Sequence, residues 1–241
     1  MASTSEKGHA INVANFSTLI TTCTGHAAIY NPVNVLIQVP QLQVKHDASK
    51  QKLNLTESKK ALLSTAINER IIAFADLETL CTQVTNAFAV SGTPALDIED
   101  LKTINKKIQG PSKKKTTNPS PENPSPNQIS TSQQSYDSKL NFFKNFIQYL
   151  ESKPIYNPNE VPLKTPALQA KYDQMNLKNQ NVDTALFNYN TTLNDRNNEM
   201  YNPTLGLVQT SKEVKKYARS IFKATSPEFK QLNGIEFKYF K

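Results

Sequence analysis

The fold prediction starts from residues 167–201, which read ALQAKYDQMNLKNQNVDTALFNYNTTLNDRNNEMY. This stretch contains neither Gly nor Pro. Apolar and aromatic side chains recur along this stretch in a pattern with alternating spacings of four and three residues: Leu168, Tyr172, Met175, Val182, Leu186, Tyr189, Leu193 and Met200. Only Asn179 and Arg196 interrupt the pattern, at its two remaining positions. Such a heptad pattern indicates one long amphipathic helix, roughly 50 Å in length at about 1.5 Å per residue. We therefore predict an all-α protein whose long helices pack along antiparallel neighbours.

The sequence also repeats itself. Ile29-Tyr30-Asn31-Pro32 recurs as Ile155-Tyr156-Asn157-Pro158, an offset of 126 residues. The same offset aligns further identical residues without a gap: Phe16 with Phe142, Pro40 with Pro166, Leu42 with Leu168, Gln43 with Gln169, Lys45 with Lys171, Asp47 with Asp173, Asn68 with Asn194 and Arg70 with Arg196. A tandem duplication explains this pattern.

We predict two three-helix bundles with long antiparallel helices, one per repeat. The first repeat covers residues 10–110 and the second covers 132–241, which ends in an extended C-terminal tail. Residues 111–131, PSKKKTTNPSPENPSPNQIST, are rich in Pro, Ser and Lys and predict an extended linker. Residues 1–9 are predicted to be disordered. Each repeat is expected to fold alone, and the sequence leaves open whether the repeats pack together and whether helices 2 and 3 of the first are continuous.

Several sequence words carry a resemblance. They are the two Tyr-Asn-Pro turns, PQLQ at 40–43, KTINKKIQG at 102–110 and ATSPEFKQLNG at 224–234. These words are similar to an uncharacterised family of two-unit helical proteins from Bacteroidota. The resemblance covers both repeats and excludes the linker. It implies helical bundles and a bacterial origin, and it implies no activity.

The chain is basic, with 28 Lys and Arg against 20 Asp and Glu, a net charge of +8. The excess is concentrated in the linker and near the C-terminus. These residues form a candidate polyanion-binding set: Lys113, Lys114, Lys115, Lys212, Lys215, Lys216, Arg219 and Lys223. A solvated basic face is the simpler interpretation. No helix-turn-helix, RNP or zinc-finger pattern accompanies the charges, so nucleic acid is a possible but not a favoured partner.

The inventory of chemical motifs is thin. The sequence contains no HExxH, CxxC, GxSxG or phosphate-binding glycine loop, and its histidines are only three. The carboxylates of Asp97, Glu99 and Asp100 are typical of a helix N-terminus. Cys23 and Cys81 align with Tyr149 and Leu207 of the second repeat, which predicts two buried, free thiols. We predict no catalytic residue, metal or cofactor.

Arg70 and Arg196 are the most unusual matched pair, because each falls on a heptad stripe. A guanidinium there is costly unless it reaches solvent or meets an acid. We expect both to be structural seam residues that pair with an acid or a helix C-terminus and so fix register. A clamp for a ligand carboxylate is the alternative.

Two function classes follow. The first is a non-enzymatic structural or protein-interaction protein, a scaffold or assembly factor that presents two helical modules to a protein partner or to copies of itself. The alternative is a polyanion-binding or nucleic-acid-binding protein that uses the linker lysines and the basic C-terminal segment. The sequence shows no signal peptide and no apolar run long enough to span a membrane, so we expect a cytoplasmic protein.

Overall fold

A computed structural model describes residues 4–110 and 134–240. These residues form eight α-helices and no strand, which confirms the all-α prediction. The helices are α1 (Thr4–Gly25), α2 (Val39–Phe74), α3 (Leu77–Ala89), α4 (Ala95–Gln109), α5 (Tyr136–Glu151), α6 (Thr165–Tyr201), α7 (Leu207–Ile221) and α8 (Pro227–Asn233). No helix of the described residues is long and apolar enough to cross a membrane.

The long helices begin and end where the sequence chemistry requires. Proline occupies the first turn of both α2 and α6, at Pro40 and Pro166, where its missing N–H costs no helical hydrogen bond. Helix α6 has 37 residues in total, and beyond Pro166 it contains no Gly or Pro. A turn at Ala75 and Asp76 separates α2 from α3, so helices 2 and 3 of the first repeat are not continuous.

The N-terminus differs from its prediction. Helix α1 begins at Thr4, inside the stretch 1–9 that was predicted to be disordered, and Gly8 and His9 are buried. Aromatic packing explains the order, because the His9 ring lies 5.5 Å from the Tyr201 ring and 5.6 Å from the Phe240 ring, centroid to centroid. The predicted linker, residues 111–131, lies outside the described residues.

The chain folds as two compact units. The terminal unit comprises Met1–Ser64 and Ala185–Lys241, and the central unit comprises Thr65–Thr184. These units do not follow the boundaries predicted from the repeat, because each unit takes helices from both halves of the sequence. Helices α2 and α6 each contribute residues to both units.

The core of the terminal unit shows this exchange directly. It joins side chains of α1 and α2 to side chains of α6, α7 and α8. Its fully buried members include Phe16, Leu19, Cys23, Leu42, Met200, Leu207, Val208, Val214, Ala218 and Leu232. The first four belong to the first repeat and the others to the second, so a single core is built from both.

The central unit is assembled in the same way. Its core joins the end of α2, α3 and α4 to α5 and the start of α6. Its most deeply buried members are Leu77, Cys81, Val84, Phe88, Leu101, Ile108, Phe143, Phe146, Ile147, Leu150, Leu168 and Met175. An apolar stripe demands an apolar partner and not a particular one, so duplicated helices can pack across repeats as well as within them.

The two Tyr-Asn-Pro sequences make matched hydrogen bonds. In the terminal unit the hydroxyl of Tyr30 donates to the carbonyl of Ile37 at 2.7 Å, which ties the Tyr-Asn-Pro turn to a 3-10 turn at Val35–Ile37. In the central unit Tyr156 donates to Leu163 at 2.7 Å across the equivalent turn. Each hydrogen bond therefore fixes the segment that leads into a long helix.

Candidate functional site

The first candidate site is a groove of about 560 Å³ in the terminal unit. The 3-10 turn, the start of α2, the end of α6 and the segment before α7 line it. The side chain of Asn34 accepts a hydrogen bond from the Leu36 N–H at 3.0 Å and caps the 3-10 turn. Leu36, Val44 and Leu205 line the groove with 56%, 61% and 52% of their surface exposed.

Charged groups occupy the same groove. The Lys45 ammonium lies 3.0 Å from the Glu199 carboxylate, and the Ser49 hydroxyl donates to that carboxylate at 3.3 Å. Glu213, on α7, accepts a hydrogen bond from the Gln209 amide at 3.0 Å. The lining therefore carries two carboxylates and one ammonium among apolar side chains, and we call it the docking groove.

The predicted seam arginines have different surroundings. In the central unit, Arg70 Nη1 donates to the Asn179 side-chain oxygen at 3.1 Å, and the guanidinium carbon lies 4.0 Å from the centre of the Tyr136 ring. Asn179 donates in turn to the carboxylate of Asp137 at 2.7 Å. The acid expected beside Arg70 is thus reached through an amide, because Asn179 occupies the place between them.

Arg196, in the terminal unit, is 4% exposed. Its Nε and Nη2 donate to the side chain of the neighbouring Asn197 at 3.2 and 2.9 Å, and its Nη1 finds no hydrogen-bond partner among the described residues. The repeat explains the difference, because Leu53, Ala10 and Ile11 stand at the positions of Asn179, Tyr136 and Asp137.

The predicted basic set is only partly free to bind an anion. Lys113, Lys114 and Lys115 lie outside the described residues. Lys216 and Arg219 are exposed on α7, and Lys223 is exposed two residues after its end. Lys215 donates to the carbonyls of Asn233 and Ile235 at 3.0 and 2.5 Å, and burial lowers its pKa. Lys212 lies over the Tyr239 ring, 4.8 Å from its centre.

The cysteines behave as predicted, because both are buried and free. Burial raises the pKa of Cys23 to about 11 and that of Cys81 to about 12. Both thiols are therefore protonated and poorly nucleophilic near neutral pH. Among the described residues, no group of three or more His, Cys, Asp and Glu side chains is arranged to hold a metal ion.

Sequence reasoning missed one polar cluster in the terminal unit. Tyr201 lies 2.5 Å from Nδ1 of His9 and accepts a hydrogen bond from the Asn12 amide at 3.3 Å. Burial raises the pKa of Tyr201, while Asn12 and the positive charge of Arg196 oppose that shift. The sequence signal was weak, because His9 lay in a stretch predicted to be disordered and Tyr201 at the end of a helix.

No protein-family model, no curated protein and no solved structure matches this chain.

Proposed function

We propose that the protein is a non-enzymatic interaction protein, a scaffold or assembly factor, that binds an apolar segment of a protein partner in the docking groove. The observation that carries this proposal is the convergence of Leu36, Val44 and Leu205 on one groove. They come from three separate parts of the chain, and each is more than half exposed. Exposed apolar side chains that line a shared concave surface are typical of a site that a partner covers.

The charges of the docking groove define the partner further. The lining contains two carboxylates, Glu199 and Glu213, and one ammonium, that of Lys45, so it has an excess of negative charge. A partner segment with an apolar face and an adjacent Lys or Arg complements it. The ion pair lies partly shielded from solvent, where a misplaced partner charge is costly, so it contributes specificity.

Polyanion binding is the second candidate. The exposed side chains of Lys216, Arg219 and Lys223 favour it. Two other members of the basic set, Lys212 and Lys215, already contact residues 233–239 of the same unit. We therefore rank it below a protein partner.

The test is affinity capture with the full-length chain, with half of each sample treated with nuclease. Val44→Asp places a carboxylate in the docking groove, and the matched control Ile72→Asp changes a residue of the same helix that is 72% exposed and lies in the central unit. We expect the wild type and Ile72→Asp to retain the same proteins, Val44→Asp to lose them, and nuclease to change nothing.

Two results contradict the proposal. Equal capture by Val44→Asp shows that the docking groove is not the binding surface. Capture that disappears after nuclease treatment favours the polyanion hypothesis. Thermal melting of each variant verifies that the substituted chains are folded.

A further inference from the structure

Residues 235–240, which we call the aromatic segment, lie without helix against α1 and α7 of the terminal unit. Side chains of α1 hold its backbone. The Asn12 amide donates to the carbonyl of Lys238 at 2.7 Å, and its oxygen accepts from the N–H of Lys238 at 3.1 Å. One helix turn later, Asn15 donates to the carbonyl of Glu236 at 2.7 Å.

The spacing of the helix side chains in these contacts fits the backbone spacing of an extended chain. Asn12 and Asn15 are three residues apart and so share a helix face. Residues 236 and 238 are two apart, and alternate residues of an extended chain present their groups to the same side. From α7, Lys215 donates to the carbonyl of Ile235. All of these bonds reach main-chain atoms, which any extended peptide offers.

Aromatic contacts add sequence preference. The Phe237 ring lies 6.3 Å from the Phe16 ring, and the Tyr239 ring lies 5.7 Å from the Tyr201 ring, centroid to centroid. The third ring, Phe240, packs directly on the backbone of α1, where a Cβ at Gly8 would overlap it. The surface therefore favours a peptide with the pattern Phe-x-aromatic-Phe.

We propose that this surface of α1 and α7, the peptide cleft, is a binding site for extended peptides, and that the aromatic segment of a second copy of this chain is its partner. The chemistry of the occupant is given by the aromatic segment of the chain itself, which makes all of these contacts. Only Gly234 separates that segment from α8. Contacts made within one chain can be made equally between two, so exchange costs little beyond association.

The cleft is also incompletely filled. A cavity of about 240 Å³ lies beside the aromatic segment, lined in part by Ile11, which is exposed. This site shares no residue with the docking groove, so the proposal does not depend on the proposed function and each can fail alone.

The experiment measures binding of a fluorescent peptide, GIEFKYFK (residues 234–241), to the full-length chain by anisotropy. In the wild type the attached segment competes with the peptide. Phe237→Ala weakens that segment and leaves the cleft intact, so we expect it to bind the peptide about tenfold more tightly or better, a difference that about 1.4 kcal/mol supplies. Lys238→Ala is the matched control, because that side chain is 69% exposed and its backbone contacts remain.

Two cleft variants complete the test, each combined with Phe237→Ala. Asn12→Ala removes the paired backbone contact, and we expect it to reverse the gain in affinity. Gly8→Ala should do the same by occupying the place of the Phe240 ring, although Ala favours a helix by about 1 kcal/mol over Gly. Thermal melting of each chain separates loss of binding from loss of fold.

Light scattering over a range of protein concentrations tests the second copy. We expect the wild type to form dimers at high concentration and excess peptide to dissociate them. Two results would contradict the proposal that the cleft binds peptides. The first is a folded Phe237→Ala chain that does not bind the peptide, and the second is a Phe237→Ala, Asn12→Ala chain that binds it as tightly as Phe237→Ala alone. Peptide binding by a chain that stays monomeric at every concentration overturns the second copy as its partner.

Discussion

The terminal and central units share a framework of matched hydrogen bonds and ion pairs, but their buried side chains differ. Besides the matched tyrosines, an ion pair is repeated: Lys52 lies 2.8 Å from Asp195 in the terminal unit, and Lys178 lies 2.8 Å from Glu69 in the central unit. Both members of one pair are offset by 126 residues from those of the other. Matched residues of the two repeats thus make matched contacts: each tyrosine hydrogen bond lies within one repeat, and each ion pair joins one repeat to the other.

The interiors have diverged at equivalent positions. The terminal unit buries Ser49, Thr56 and Thr192 where the central unit buries Met175, Val182 and Ala66. Thr56 is satisfied by the carbonyls of Lys52 and Thr192, at 2.9 and 3.1 Å. Buried hydroxyls with partners are tolerated but add little net stability, whereas buried methylenes add about 0.8 kcal/mol each.

The more apolar interior and the proposed binding sites lie in different units. The central unit has the more apolar interior, and its Arg70 reaches the carboxylate of Asp137 through Asn179, although the Nε of Arg70 has no hydrogen-bond partner among the described residues. The terminal unit has a more polar interior, an arginine that donates only to the amide oxygen of its neighbour Asn197, and the two binding sites that we propose, the docking groove and the peptide cleft. Polar and imperfectly satisfied interiors are expected where a protein has been adapted to bind something, and stability is supplied elsewhere.

Separating the two repeats should have the largest effect, because it divides both units at once. Residues 1–110 and 134–241, produced as separate chains, each keep some helix pairs, such as α3 with α4 or α7 with α8, but lose the other half of both cores. We expect neither to melt cooperatively alone and an equimolar mixture to regain helical structure, as measured by circular dichroism. A cooperative melt of either half alone would contradict the shared cores.

The sequence predicted the helices well and their partners poorly. Heptad spacing and proline positions located α2 and α6, and the duplication follows from the offset of 126 residues. Packing across the repeats was not predictable, because Leu42 and Leu168 lie on near-identical stripes. A stripe records which face is buried and does not record which helix buries it.

The site was predictable in part. The heptad phase identified Arg70 and Arg196 as unusual, but their partners depend on residues far away in sequence, such as Asn179 and Asp137. The docking groove and the peptide cleft gave no sequence signal. Single exposed apolar residues are normal on any surface, and only the fold brings Leu36, Val44 and Leu205 together.

Truncating a matched core leucine tests whether the units are distinct. Leu42 and Leu168 are both fully buried, one in each unit, so each Leu→Ala change should cost about 2 to 5 kcal/mol. The labelling rates of the two cysteines show which unit is destabilised, since Cys23 lies in the terminal core and Cys81 in the central core. We expect Leu42→Ala to accelerate labelling of Cys23 most, and Leu168→Ala to accelerate labelling of Cys81 most.

Each labelling rate is measured in a chain whose other cysteine is replaced by Ala. Ile72→Ala is the control, because that side chain is largely exposed and its loss should change neither rate appreciably. Equal acceleration of both thiols by either leucine variant would show that the two units open as one.

Replacing the matched arginines tests whether their different surroundings change the free energy of unfolding differently. Arg70→Met leaves the buried oxygen of Asn179 without its donor, which should cost about 1 to 3 kcal/mol. Each substitution also removes one buried N–H that has no partner, the Nε of Arg70 or the Nη1 of Arg196. Arg196→Met keeps the packing of the stem and deprives only the half-buried Asn197 of a donor, so we expect a neutral or stabilising change of about 1 kcal/mol. Urea denaturation measures both. Equal destabilisation by the two variants would show that Arg196 is compensated in solution, as a structural seam or a ligand clamp requires.

The smallest expected effect is at the duplicated ion pairs, and it tests what the two units still share. Lys52 and Lys178 are partly exposed, so removing either ammonium with Ala should cost only about 0.2 to 1 kcal/mol. A double-mutant cycle with Asp195→Ala or Glu69→Ala isolates each pair, and Lys216→Ala on the exposed face of α7 controls for the loss of a charge. The two coupling energies should agree and should both diminish at about 1 M salt, where the Debye length is about 3 Å. A clear coupling at one pair and none at the other would contradict the common framework, because equal geometry at equal exposure leaves no reason for the duplicated contacts to differ in strength.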